Sequence, residues 1–209
     1  LLSSHTTVRC EPPMTIVRIF VGDSQFTCTC AIAPLDSRTV RWPMPLIDAL
    51  LPEFDHEMTV TRKLLERVPE DRFDFKPHQK SYSLGQLAQH VATVPMWGAV
   101  TINQSELDLG GSQQLAPVAN RAELLALFDG HVAGTRAALV GKSDAELMAQ
   151  WTLKVGGKTL FSMPKAAVWR SFVMSHLIHH RGQLSVYLRM QDVKLPSMYG
   201  PTADENPFA

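Results

Sequence analysis

No run in this 209-residue sequence approaches the roughly 18 apolar residues that a membrane-spanning helix needs. Neither sign of charge is in excess: 20 Lys and Arg balance 20 Asp and Glu. That balance leaves no basic footprint for nucleic acid or for an anionic membrane surface. Cysteine is scarce and confined to one end, as Cys10, Cys28 and Cys30, with none in the following 179 residues. An odd number clustered in this way is a poor disulfide framework, and the spacing of Cys28 and Cys30 is not that of a zinc ribbon or a thioredoxin motif. The expectation is therefore a soluble globular protein of a reducing, cytoplasmic compartment, without nucleic-acid or membrane partners. Its length suffices to bury a core without covalent staples. Any thiol chemistry in the main body must use a thiol from outside the chain.

Residues 1–43 lack helical periodicity and mix Pro12, Pro13, Gly22, Pro34 and Pro43 with short β-branched runs. Met14–Val21 reads either as one strand or as a signal remnant, the latter weakened by Arg18 and by the missing small-residue cleavage pattern. The segment is expected to be a poorly ordered N-terminal extension, from a fragment or a mis-extended frame. Met44 would then be the natural start of a compact domain over 44–209.

From Met44 the pattern becomes regular. Ile47, Leu51, Phe54, Met58, Thr61, Leu65 and Val68 form one stripe on a helix over about 46–68. Pro52 is expected to split off a short first turn, and Pro69 to end the helix. Ser83 and Gln86 read as a capping box opening a second helix that Pro95 kinks or weakens. Residues 103–119 read as loop. Asn120 and Glu123 open a third helix with the stripe Leu124, Phe128, His131, Thr135 and Leu139. Ser143 and Glu146 cap a short turn, and Gly156-Gly157 closes a small β-hairpin between 152–155 and 158–161. Pro164 suits the first turn of a long fourth helix reaching about Met190. The fold class is all-α, a four-helix bundle with a hairpin before its last helix.

On the fourth helix His176 and His180 lie four apart, so both imidazoles leave one face and can grip one ion. His90 occupies the inward stripe of the second helix, between Leu87 and Val94. Two ligands from one helix and one from a facing helix is how bundles build metal sites. The competing reading is of satisfied core histidines, and His179 competes with His180 for the pairing. His5, His56, His78 and His131 read as surface or ordinary core positions.

Four blocks resemble the DinB (DinB/YfiT-like) superfamily, in the right order from Met44 to about Glu205. They are Glu53–Asp71, Lys76–His90, His176–Leu184 and Tyr199–Glu205. The resemblance implies a bundle of up-down-down-up topology, often a homodimer. It also implies a divalent metal, zinc or nickel, held by three histidines that fall on His90, His176 and His180. His179 matches no ligand position.

Three neutral imidazoles leave coordination positions open, which marks a catalytic rather than a structural site. Two chemistries follow: hydrolysis by an activated water, or activation of a low-molecular-weight thiol as nucleophile toward a small electrophile. The characterised relatives look like transferases using bacillithiol, mycothiol or glutathione, which favours the second. Hydrolysis wants a carboxylate base, for which Glu57 is the candidate, against a plain solvated carboxylate. Gln183 is a candidate to hydrogen-bond a ligand imidazole or the bound nucleophile. Trp97, two turns after His90, is a candidate wall for a small-molecule substrate. Arg181 is either an anchor for an anionic group or, preferably, an exposed helix charge. Gly182 inside a helix hints at a close helix approach. A non-catalytic metal- or ligand-binding stress protein is the reading of another class.

Overall fold

Ser83 and Gln86 close the expected capping box, with Ser83 Oγ accepting from Gln86 N–H at 3.2 Å and Gln86 Oε1 from Ser83 N–H at 2.9 Å. The same device recurs at Ser143 and Glu146. In this computed structural model, residues 17–21, 24–28, 44–111 and 115–208 are described. The chain divides into two units, Leu1–Pro43 and Met44–Ala209. In the first, strands β1 (Val17–Val21) and β2 (Ser24–Cys28) pair antiparallel, with Val21 opposite Ser24. The expected strand at Met14–Val21 is met over its last five residues. The expectation of poor order for the rest of 1–43 lies outside the described residues.

The second unit is mostly helical with a small three-stranded sheet. Helix α1 (Leu46–Leu65) runs straight through Pro52, contrary to the expected split. Proline removes one backbone hydrogen bond near the helix start. Fully buried Phe54, Leu64 and Leu65, with Met58 at 3% exposure, hold the rest of the helix against the core. Its first N–H is satisfied from a distance, Leu46 donating to Asp144 Oδ1 at 2.9 Å. Helix α2 (Leu84–Thr93) stops before Pro95, and α3 (Met96–Asn103) starts anew beyond it, so the proline breaks the helix rather than kinking it. Buried Thr135, on α4 (Arg121–Leu139), fills the break: its hydroxyl accepts from Ala99 N–H at 3.1 Å and donates to the Pro95 carbonyl at 2.6 Å.

After the short helix α5 (Asp144–Leu147), strands β4 (Gln150–Val155) and β5 (Lys158–Pro164) form the expected hairpin. Gly156 and Gly157 turn it at φ +56° and +80°, the left-handed region glycine enters freely. The loop expected over 103–119 contains a third strand, β3 (Glu106–Asp108), parallel to β4. Three residues are too few to show a period. Asp108 locks the strand to the hairpin turn, its carboxylate accepting from Gly156 and Gly157 N–H at 2.8 and 2.6 Å.

The expected fourth helix begins after Pro164 and ends at Arg189, in three parts. A turn of α-helix, α6 (Lys165–Val168), leads into a π-helical segment, Trp169–Ser175, and then α7 (His176–Arg189). Each π turn holds an extra residue and rotates the following side chains about the axis. Helix α2 packs on α4 and α7, and α1 packs on the same two helices. No helix of the described residues is long and apolar enough to cross a membrane.

The close helix approach expected at Gly182 occurs instead at Gly98. A Cβ at Gly182 would meet nothing within 4 Å, whereas at Gly98 it would lie 2.4 Å from Thr135 Cγ2 and 2.9 Å from the Trp169 ring. Thr135 and Trp169 are both fully buried and cannot swing aside. Gly98→Ala should therefore destabilise by about 1–3 kcal/mol through overpacking. Gly182→Ala should stabilise by about 0.5–1 kcal/mol through helix propensity. Urea melts of the two variants test both signs, and a neutral Gly98→Ala would show that the α3–α4 contact yields.

Candidate metal centre

His90 lies in the last turn of α2, and His176 and His180 lie in the first two turns of α7. The packing of these helices brings one ring nitrogen of each histidine within 4.8 Å of the other two. Among the described residues this is the only such grouping of histidine, cysteine and carboxylate groups. The Nε2 atoms of His90 and His176 are 3.1 Å apart. The ring of His180 stands edge-on to that of His90, with centroids 4.4 Å apart.

Each α7 ring is held from behind. His176 Nδ1 donates to the Phe172 carbonyl in the π segment at 3.3 Å. His180 Nδ1 donates to Gln183 Oε1 at 2.7 Å. A carbonyl oxygen can only accept, so these bonds place the proton on Nδ1 and leave Nε2 of both rings unprotonated, that of His176 facing His90 Nε2. Gln183 thus hydrogen-bonds the imidazole of His180.

Electrostatics prepares the same state. Burial, reinforced by His180 and His176, holds the His90 pKa down at about 4. Burial and the neighbouring rings lower His176 as well, and burial lowers His180 against the opposing Gln183 bond. All three rings are therefore neutral near pH 7, the form that binds a metal. Three neutral nitrogen donors in a half-buried setting could hold a metal ion.

The other expected site residues lie elsewhere. His179 is exposed on the outer side of α7. Arg181 is not the exposed charge expected of it, being 1% exposed. One residue beyond His180, and so about 100° round α7 from it, Arg181 pairs with Glu57 Oε2 at 2.6 Å. It also donates to the Glu57 carbonyl at 3.2 Å and to Thr61 Oγ1 at 3.0 Å. Glu57, 5% exposed, is consequently neither a solvated carboxylate nor a free base. Both its oxygens lie 2.9 Å from the Tyr199 hydroxyl, which also contacts Arg181. Trp97 is half-buried against the hydrophobic core. His131 bonds the Ala92 carbonyl, while His56 and His78 are exposed.

A cleft of about 550 Å³ opens beside His90. Its lining includes two residues the sequence reading passed over. Tyr82, whose ring centroid is 5.9 Å from that of His90, stands just before the capping box. Gln89 straps the opposite wall to α2, accepting from Val118 N–H at 3.1 Å and donating to the Ala116 carbonyl at 2.7 Å. Their only sequence signal was nearness to His90, and the wall they serve is far off along the chain.

Comparison with known proteins bears on the whole second unit. The family model described as the DinB family matches residues 44–206. The chain is 26% identical over 163 residues to the uncharacterized protein YrdA of Bacillus subtilis, covering 76% of this chain and 91% of YrdA. It is also 26% identical over 154 residues to the uncharacterized protein YjoA of the same organism, covering 70% of this chain and 92% of YjoA. A crystal structure of a DinB-like protein from Bacillus cereus superposes with a TM-score of 0.57 at 18% identity, over 74% of this chain and 98% of that one. The crystal structure of YjoA, described as a DinB-like protein, gives 0.57 at 23% identity, over 72% and 97%. At these identities the structural likeness speaks to the fold.

Proposed function

The chain belongs to the DinB family, and from that premise we propose that it is a metal-dependent enzyme that transfers a low-molecular-weight thiol to small electrophiles. In this reading α1, α2, α4 and the run Lys165–Arg189 form a four-helix bundle, and His90, His176 and His180 hold a zinc or nickel ion in it. One observation carries the proposal: Nδ1 bonds to Phe172 and Gln183 leave Nε2 of His176 and His180 unprotonated, and the two rings gather with that of His90, which lines an open cleft. Bound there, a divalent ion supplies Lewis acidity, bringing the pKa of a coordinated thiol down toward neutrality.

The chain's own residues orient the rings of His176 and His180, keep all three rings neutral and shape the cleft in which an electrophile meets the nucleophile. The overall change is balanced: a carbon–sulfur bond forms, the bond from that carbon to its leaving group breaks, and the thiol proton passes to solvent. The sulfur must come from outside, because residues 44–209 contain no cysteine. Hydrolysis is the weaker reading, since the carboxylate nominated as its base, Glu57, is bonded to Arg181 and Tyr199.

The test loads the protein with zinc or nickel and follows a chromogenic electrophile with bacillithiol, mycothiol, glutathione or cysteine. Turnover with at least one thiol is expected, abolished by chelator and by His90→Ala, with a pH midpoint below the roughly 8.5 of a free thiol. A rate unchanged by chelation would end the proposal. Metal-dependent cleavage of activated esters without thiol transfer would favour the hydrolase. Metal binding without turnover on either panel would favour a non-catalytic role.

A further inference from the structure

The cleft beside His90 is lined by apolar groups together with uncharged polar ones, Ser83, Gln86, Gln89 and Thr93. Phe73, Tyr82, Leu115, Pro117 and Val118 present apolar and aromatic surface. Gln89 lines it too, but both ends of its amide are already committed to the loop at 116–118. Among the described lining residues there is no lysine or arginine, and Asp74 is the single formal charge. Asp74 is exposed and makes no hydrogen bond or ion pair among the described residues. Such a carboxylate is free to meet a cation arriving in the cleft. Tyr82, 52% exposed, adds a π-face of the kind that attracts cations.

Shape and charge therefore select together. Phe73 is fixed against α2, since a Cβ at Gly85 would lie only 3.1 Å from its side chain. The wall at 115–118 is held by the Gln89 strap, so the cleft is formed before any ligand arrives. A ligand with an anionic tail would find no counter-charge on these walls and would approach Asp74 unfavourably.

We propose that this cleft binds a flat, apolar small molecule carrying a positive charge, with its body against Phe73 and Tyr82 and its cationic group toward Asp74. The inference rests on the preceding reading only in identifying this ligand as the electrophile that is presented to the histidine centre. Recognition itself uses side chains other than the three histidines.

The test is accordingly made on the chelator-treated full chain at pH 7.5, with 2-naphthylmethylamine, 2-naphthalenemethanol and 2-naphthoate as matched probes. Titrations are followed by protein NMR. Affinity is expected in the order amine, alcohol, carboxylate, with at least about fivefold between the extremes, the scale of one partly screened charge contact. Shifts should centre on Tyr82, Gln89 and His90. Asp74→Asn should bring amine and alcohol within twofold of each other, and Tyr82→Ala should weaken all three probes. Equal affinities, tightest binding of the carboxylate, shifts centred away from this cleft, or an Asp74→Asn variant with unchanged preference would each overturn the proposal. Metal content is measured separately on untreated protein, so a failure of the metal reading is distinguishable from a failure of the cleft.

Discussion

His176→Ala and His180→Ala proteins should each lose bound divalent metal while keeping the helical circular dichroism of the parent. The helices are held by packing that does not involve the rings: Leu177, Leu184 and Leu188 on α7 and Leu87, Val91 and Val94 at α2 are buried, with Leu87 the most exposed at 2%. Removing a hydrogen-bonded support behind a ligand typically costs 10–100-fold in metal affinity. Removing one of three ligands should cost at least the upper end of that range, whereas Gln183→Leu should fall within it. Elemental analysis after desalting reads the outcome. Full occupancy in both histidine variants would refute the site, and loss in His179→Ala alone would mean that the pair is wrongly chosen.

Acid should act on the same centre with a definite sign. In the folded chain the His90 pKa is lowered to about 4, while an unfolded histidine titrates near 6.5. Burial lowers all three rings, so metal binding should persist below pH 6.5 and be lost on further acidification as protons compete for the rings. For the metal-free protein, the unfolded state binds more protons in that window. The contribution of His90 to stability is present above pH 6.5 and is lost as the pH falls through 4. The ring is only half-buried, so the effect on melting should be smaller than the full shift would give.

The residues that could be read from the sequence are those whose signal is local. The capping boxes at Ser83 and Ser143, the Gly156-Gly157 turn and the four-residue spacing of His176 and His180 each sit within a few positions of chain. The stripe of α4 was legible because Leu124, Phe128 and Leu139 recur at helical spacing. What escaped depends on partners distant in sequence. Strand β3 exists because Glu106–Asp108 lies beside β4, about 46 residues on. Thr135 looked like one more stripe position, yet its hydroxyl repairs the helix break 40 residues earlier. Local propensity carries no trace of either. The π segment was equally hidden, since Trp169–Ser175 carries no local signal that separates it from ordinary α-helix.

Arg181 shows the same limit most sharply, because it directly follows His180 in the chain yet its contacts are with Glu57, Thr61 and Tyr199. Its pairing with Glu57 is enclosed, with the two side chains 1% and 7% exposed. The guanidinium face also lies over the Tyr199 ring, 5.1 Å from its centroid. Truncating one partner would strand the other charge away from water. Arg181→Met should therefore destabilise by about 3–5 kcal/mol, the usual cost of breaking a buried pair. Glu57→Leu should cost a similar amount, since Arg181 would retain only the Glu57 carbonyl, Thr61 and Tyr199.

The double variant Arg181→Met, Glu57→Leu removes both charges together and should recover most of the loss. Buried pairs replaced by apolar residues of similar volume are often neutral or better, although the Tyr199 hydroxyl must then find water. Three urea melts, read as a double-mutant cycle, give the coupling between the two residues. Additive losses would mean that the charges do not depend on each other in the folded chain. Metal content adds the deciding observation about function. The rings of His176 and His180 are oriented by Phe172 and Gln183, not by Arg181. The refolded double variant should thus bind metal like the parent, and an empty site in a stable double variant would make the Glu57–Arg181 pair part of the metal centre's support.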